Sequence, residues 1–402
     1  MTAASTSRID TVVVGAGPAG LAVGAALQAR GREALLLEAG ARLGERWEGH
    51  YDRLRLNTVR WLSGLPDQPI PRAAGRWVSR DAFVAYLRDY ARDRRLAIEL
   101  GTKVRAVVRV ADGYCLHTDR GELRAGQVVI ATGPCATPRL PEWPGLDSVG
   151  DRISHAARYR NAQPFVDLDV LVVGSGNSAA DIALDLAEGG AARVRMAVRT
   201  PPQILPRTTL GLPTQALGVA TRRLPPALTD PIFGRLRGWL LPPVAERGLP
   251  QPRASISQQF RASDVVPIID NGFSAAVHRG AIEIVPAVEG FVRGDVLLAG
   301  GGRIAVDRII AATGYDADLA PLVGALGVLD GSGRPLAHGP HTHPAAPHLY
   351  FIGFTNPLAG NLRQLAIDAR AIAGAIARAT TGRSDQPVSG MALAIACSSP
   401  LH

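Results

Sequence analysis

Two glycine-rich turns carry most of the chemistry legible in this 402-residue chain. The first is TVVVGAGPAG (Thr11–Gly20) and the second is VLVVGSGNSA (Val170–Ala179), each preceded by β-branched residues and followed by an alanine-rich stretch. In the first, Gly15 permits a tight strand-to-helix turn, and Gly17 lets the backbone approach a pyrophosphate. Pro18 and Ala19 open the helix, and Gly20 allows close helix–strand packing. Phosphates then meet unpaired N–H groups and the positive end of the helix dipole. Glu38 ends the following strand, where an acid hydrogen-bonds ribose hydroxyls and repels a 2′-phosphate. In the second turn Gly174 and Gly176 keep their places and Ala179 replaces the third glycine. The strand after it ends in Arg199-Thr200, and a guanidinium there pairs with a 2′-phosphate. These residues assign FAD to the first turn and NADPH to the second.

Each turn needs a strand behind it and a helix ahead of it. Ile9–Val14, Pro18–Ala29 and Ala34–Glu38 read as a β-α-β unit, and Val170–Val173, Ser178–Ala187 and Val194–Val198 as another. Ser79 is placed to cap a further helix in which Phe83, Tyr86, Leu87 and Tyr90 recur at helical spacing. After the first unit come β-like segments at Val104–Val110, Tyr114–Thr118 and Gln127–Ala131, the last running into Ala131-Thr132-Gly133. After the second come Ile282–Val285, Val296–Leu298 and Ile304–Ala311, ending in Ala312-Thr313-Gly314. This twofold order is stronger evidence than either glycine motif alone. It places Thr132, Gly133, Thr313 and Gly314 among the expected cofactor contacts. The chain then returns through Leu349–Gly353 to an alanine-rich helix at Asn361–Arg378.

The fold expected is α/β, with two Rossmann-type dinucleotide-binding domains and the NADPH domain inserted in the FAD domain. The FAD domain takes residues 1–160 and 312–382, the NADPH domain 161–311, and a flexible tail 383–402. Residues 203–261 interrupt the pattern with Leu-Pro-Pro at 224–226 and again at 241–243. Proline density argues against one long helix there and for an insertion of short helices forming a lid or access channel. Leu236, Trp239 and Leu240 could form an apolar face, but a cap packed on the core is favoured over a membrane-surface element.

Lys and Arg number 44 against 35 Asp and Glu, a net charge of +9. The arginines are scattered with no aromatic-interleaved basic run, which argues against nucleic acid; two anionic cofactors account for part of the excess. Cys115, Cys135 and Cys397 form no Cys-x-x-Cys pair, which excludes a local redox dithiol and a zinc knuckle, so no metal is expected. Three reduced thiols, no signal-peptide pattern and no run of spanning length fit a cytoplasmic protein. A homodimer is the assembly left open.

Several segments resemble the class B flavin-dependent monooxygenases. They are GAGPAG, GSGNSAADIA, the two Ala-Thr-Gly segments and ILPR at Ile204–Arg207. The closest likeness is to the YUCCA-type branch of the flavin-containing monooxygenases, carried by HYDRLRL (His50–Leu56), VPIIDNG (Val266–Gly272) and IGFT (Ile352–Thr355), and it runs from about Ile9 to Arg378. The resemblance implies that NADPH reduces FAD and that reduced flavin and O2 give a C4a-(hydro)peroxyflavin, which NADP+ shields. An oxygen atom then passes to a small organic substrate. The outcome would be N- or S-oxygenation, or oxidative decarboxylation of a 2-oxo acid. Baeyer–Villiger insertion is an alternative, as is a pyridine nucleotide:acceptor reductase without oxygenation.

Carried over residue by residue, Asn57 matches the asparagine beside the reactive face of the flavin, where plant YUCCA proteins tend to have histidine. Arg46 and Trp47 stand where the family often has a Gly-Gly-x-Trp-like segment, Asn177 and Ser178 would line the nicotinamide cofactor, and Gly353 joins the flavin contacts. The family fingerprint Phe-x-Gly-x-x-x-His-x-x-x-Tyr keeps His155 and Tyr159, but Val149 replaces Phe and Asp151 replaces Gly. His155 is read as a linker hinge or cofactor contact, and Tyr159 stands where Baeyer–Villiger enzymes usually carry Trp.

Overall fold

A computed structural model describes residues 8–381 apart from 222–223, 257, 260–265 and 358. The expected tail at 383–402, Cys397 and part of the insertion therefore lie outside the described residues. The strand β1 (Ile9–Val14) runs into helix α1 (Pro18–Gln28) and returns as β2 (Leu35–Leu37), parallel to β1. After the one-turn helix α2 (Glu45–Glu48) comes α3 (Arg80–Asp93), whose Ser79 Oγ accepts from the Ala82 N–H at 3.3 Å. The strands β3 (Ile98–Glu99), β4 (Val104–Val110), β5 (Gly113–Thr118) and β6 (Gly121–Ile130) complete the first sheet.

The ten-residue β6 serves two purposes. Its first half pairs antiparallel with β5, while Val128–Ile130 lies parallel between β1 and β21 (Leu349–Phe351). Val12, Val13, Val128 and Val129 are fully buried, because strands covered on both faces bury consecutive residues. On one face α1 and the C-terminal helix (Asn361–Thr381) pack together, and this alanine-rich contact lets their backbones approach closely.

Two short strands lead to and from the second unit. β7 (Thr137–Pro138) pairs antiparallel with β20 (Tyr315–Asp316), so the outgoing and returning chains cross side by side. The second sheet is parallel throughout, in the order β15 (Glu283–Pro286), β10 (Arg193–Val198), β9 (Asp169–Val173), β19 (Arg308–Ala311), β8 (Ile153–His155). β8 lies before residue 160 yet hydrogen-bonds to β19, so the second sheet takes in a segment assigned from sequence to the first domain. Three residues offer no periodicity that would show which sheet they join. The run Ile304–Ala311 likewise divides. Arg303–Ile304 (β18) closes a small antiparallel sheet with β16 (Val288–Val292) and β17 (Asp295–Leu298), whereas β19 enters the parallel one.

The insertion opens with β11 (Ile204–Pro206), paired to β14 (Ile268–Asp270), and a hairpin of β12 (Thr208–Thr209) and β13 (Leu212–Pro213). Two helices follow, α5 (Thr214–Thr221) and α6 (Pro226–Leu240), the latter with Pro231 inside it. Of the apolar trio on α6, Trp239 is 77% exposed while Leu236 and Leu240 are half-buried. Among the described residues no helix is long and apolar enough to cross a membrane.

Helix α4 (Asn177–Glu188) joins the two units through polar contacts. Tyr51, from the segment after α2, donates its hydroxyl to Asp181 at 2.7 Å, and Asn271 donates to the other carboxylate oxygen at 2.9 Å. One turn on, Tyr159 donates to Asp185 at 2.6 Å, and Arg53 reaches both Asp185 and Glu188. Burial pushes the Asp181 carboxyl above the ordinary carboxylate range, against the hydrogen bonds from Tyr51 and Asn271. With the folded value above the unfolded one, the stability this group contributes is fully present below the unfolded pKa and is lost as pH rises through the folded one. The difference in Tm between the wild type and Asp181→Asn should therefore move in the variant's favour as pH rises from about 4 towards neutrality. Melting curves across that range that keep a constant difference would refute it.

Candidate active site

Both glycine turns are built the same way. β1 ends at Gly15 (φ 101°), whose N–H donates to the Leu37 carbonyl at 2.7 Å; β9 ends at Gly174 (φ 145°), bonded to Ala197 at 3.1 Å. A Cβ on Gly15 would lie 2.7 Å from the Ala131 carbonyl oxygen, and one on Gly174 would collide with the Ala312 carbonyl oxygen. The first glycine of each turn thus abuts the strand end that carries Ala-Thr-Gly, which explains why the two motifs recur as a pair. Gly20 is equally constrained, since a Cβ would strike the Gly15 carbonyl. In the second unit the corresponding Ala179 is accommodated, fully buried.

Gly17 and Gly176 differ from these. Each caps its helix in an extended conformation, and a Cβ on either would meet nothing within 4 Å. The same holds for Gly133 at the end of the neighbouring strand. These glycines leave open ground in front of a helix N-terminus, where the first N–H groups have no intrahelical partner. A pyrophosphate fits such a cradle, and a side chain would fill it. Pro18 occupies the first helical position. Glu38 stands beside the first cradle, half-buried, with its two oxygens accepting from the Ala16 and Gly40 N–H groups at 2.9 Å each. Gly353 (φ 87°) completes that side, where a Cβ would meet Leu365 and then Ala19 on α1.

At the second cradle Arg199 and Thr200 are exposed just beyond β10, and the Arg199 guanidinium has no ion pair or hydrogen bond among the described residues. Ser178 is exposed at the start of α4. Asn177 has a different task from the one expected. Its amide donates to Pro267 O at 3.0 Å and accepts from the Ile269 N–H at 2.8 Å, so it fastens β14 to α4 and its side chain is occupied within the protein.

The remaining predicted residues divide between the crossover and the first unit. His155 Nδ1 accepts from the Ala157 N–H, which leaves Nε2 to donate to the Gly314 carbonyl at 3.0 Å. Burial holds its pKa below the ordinary histidine value, so the ring is a neutral clasp between β8 and the strand end at Gly314. Thr313 donates its hydroxyl to Arg139 O on the outgoing chain. Arg46 donates to Ala136 O at 2.6 Å, close after the exposed Thr132, and Trp47 packs edge-on against Phe83, with ring centres 4.6 Å apart.

Asn57 is half-buried, and its neighbours are each bolted down. Leu56 N–H donates to Val78 O, Thr58 and Ser63 share a 2.7 Å hydroxyl contact, and Val59 N–H donates to Gln215 at 2.8 Å. Gln215 in turn donates to Ala359 O at 2.7 Å, so α5 of the insertion ties the Asn57 segment to the chain following Gly353. The Asn57 side chain itself makes no hydrogen bond among the described residues. A fixed backbone with an uncommitted amide is what a ligand-contacting side chain requires. Sequence reasoning missed Tyr51, Asp181, Asp185 and Gln215, whose partners are distant in the chain.

Comparison with known proteins accords with this geometry. The family pattern of the pyridine nucleotide-disulphide oxidoreductases matches residues 12–209. Indole-3-pyruvate monooxygenase YUCCA1 of Oryza sativa subsp. japonica is 33% identical over 350 residues, covering 86% of each protein. The chain belongs to the YUCCA family of flavin monooxygenases. Among solved structures, a flavin-containing monooxygenase from Stenotrophomonas maltophilia superposes with a TM-score of 0.71 at 23% identity, covering 93% of this chain and 99% of that one. A steroid monooxygenase bound to NADP gives 0.70 at 21% identity, over 94% and 86%. These two likenesses are of fold.

Two outcomes test the cradles. Gly20→Ala should destabilise the protein by about 1–3 kcal/mol through overpacking. Gly17→Ala should leave the melting temperature of the flavin-free protein within about 2 °C of wild type while abolishing FAD retention on gel filtration. Equal melting temperatures for the two variants would contradict the assignment. Arg199→Ala should raise KM for NADPH by at least about tenfold and KM for NADH far less, as loss of a charge-assisted contact to a 2′-phosphate requires. Parallel changes for both nucleotides would remove Arg199 from that role.

Proposed function

We propose that this protein is an NADPH- and O2-dependent FAD monooxygenase acting on a small 2-oxo acid. The observation that carries the reading is the ordered pair of cradles, the first with an acid and the second with an unpaired arginine at the ribose position, in a chain of this family. The substrate class is supported by the relatives named as indole-3-pyruvate monooxygenases.

FAD would be held at Gly15–Gly20, with Glu38 receiving ribose hydroxyls, and NADPH at Gly174–Ala179, with Arg199 and Thr200 at its 2′-phosphate. Together the cofactors supply two electrons for the activation of O2. The chain's own part is to bind, orient and exclude water. The Asn57 amide offers a hydrogen-bond donor from a backbone held on both sides. Gln215 keeps the insertion closed against that segment through Val59 and Ala359. Asp181 and Asp185 hold the Tyr51–Arg53 segment against α4, so the two cradles keep one relative position. No charged proton-transfer pair is needed for these tasks.

In the overall reaction a 2-oxo acid, O2, NADPH and a proton give the carboxylic acid shortened by one carbon, CO2, NADP+ and water. The enzyme supplied with phenylpyruvate and isotopically labelled O2 should place one labelled atom in phenylacetate for each NADPH consumed. Oxidation of NADPH with all the label in hydrogen peroxide or water, for this acid and for a panel of sulfides, amines and ketones, would reduce the protein to an oxidase or reductase. Label in a sulfoxide or N-oxide, with none in phenylacetate, would keep the monooxygenase and change the substrate.

A further inference from the structure

The residues assigned to the cofactors account for phosphates and ribose and leave the charge of the substrate unmatched. A half-buried arginine, Arg207, lies outside both cradles. Arg207 follows β11, its N–H bonded to Asp270 O and its carbonyl to the Thr214 N–H, so its backbone is fixed from two sides. Its guanidinium carbon lies 4.4 Å from the centre of the Trp77 ring, and Nη2 donates at 2.8 Å to the carbonyl of Leu56, the residue before Asn57. Nε is buried without a partner. Nη1 makes no hydrogen bond, and no carboxylate forms an ion pair with the group, among the described residues. Asp181 attracts it through space, and Arg55 opposes that attraction.

We propose that Arg207 receives the carboxylate of the organic substrate beside Asn57. A charge taken out of water is costly unless it is paired, and a guanidinium stacked on indole and bonded to one carbonyl is only half compensated. The delocalised plane of arginine tolerates that stacking, and its remaining donors match the two oxygens of a carboxylate in a way that a lysine would not. The group is bonded to the backbone carbonyl of Leu56, the residue before Asn57, so an acid held by its carboxylate would have its neighbouring carbonyl near the Asn57 segment. Partial withdrawal from water also favours an anionic ligand over a neutral one, since the anion removes the cost of the buried charge. This assignment rests on the 2-oxo acid reading and adds the residue that would select it.

The test compares the holoenzyme with phenylpyruvate and with its neutral methyl ester, following binding by the perturbation of the FAD absorbance. The acid should bind wild-type protein roughly 30-fold or more tightly than the ester, and Arg207→Gln should remove most of that preference. In steady-state assays Arg207→Gln should raise KM for phenylpyruvate by a similar factor and leave KM for NADPH within about twofold. Arg207→Lys should recover part of the acid preference through its charge. Equal affinity of wild type for acid and ester overturns the proposal without any variant being made. So does an unchanged KM for phenylpyruvate in Arg207→Gln, or a rise in KM for NADPH in its place. These failures are distinct from that of the monooxygenase reading, which is decided by the fate of labelled oxygen.

Discussion

Asp181 and Asp185, one helical turn apart on α4, hold the two nucleotide-binding units in register. Each accepts a tyrosine hydroxyl from outside the second unit's own β-α-β motif, Tyr51 for Asp181 and Tyr159 for Asp185. Buried carboxylates are expensive to leave unpaired, so these contacts are directional constraints as much as sources of stability. Electron transfer between two bound dinucleotides depends on how their cradles face one another. α4 begins at the second cradle with Gly176 and carries the aspartates further along the same rod, so the seam and the nucleotide site cannot move independently.

The same economy governs the region around Asn57. The insertion is tied back by Gln215 to Val59 and Ala359 and by Arg207 to Leu56, and it thereby joins three distant parts of the chain. Those bonds come from Arg207, just after β11, and from Gln215 on α5, in the first part of the insertion. The outer helix α6 exposes Ile232 and Trp239 and makes a looser layer. The proline-rich composition fits this division, because helices broken into short pieces can follow the surface of two units at once.

Much of the architecture was legible because its signals are local. Gly15, Gly17 and Gly20 report a turn spelled out within six residues, and the alternation of β-branched and alanine-rich segments marked β1, α1, β9 and α4. Ser79 announced α3 through a capping bond to Ala82. What was not legible is pairing. β8 is three residues long and its membership of the second sheet is decided by hydrogen bonds to β19, more than 150 residues away. Ile304 and Ile309 read as one apolar run but belong to different sheets. Asn177 is the instructive case: its position beside a nicotinamide-binding turn was visible, and the bonds that occupy its amide, to Pro267 and Ile269, were not.

The sequence by itself determined that two dinucleotide cradles exist, since these reside in glycine backbone freedom, and it set one acid and one arginine at fixed offsets from them. It also sufficed to place the chain within its family. Tertiary structure alone decided how the cradles are held together and what surrounds Asn57, because Tyr51–Asp181, Gln215–Ala359 and Arg207–Leu56 each unite residues more than a hundred positions apart. Such contacts leave no periodic trace. A buried aspartate and a surface one are the same letter, and only folding reveals which has lost its water.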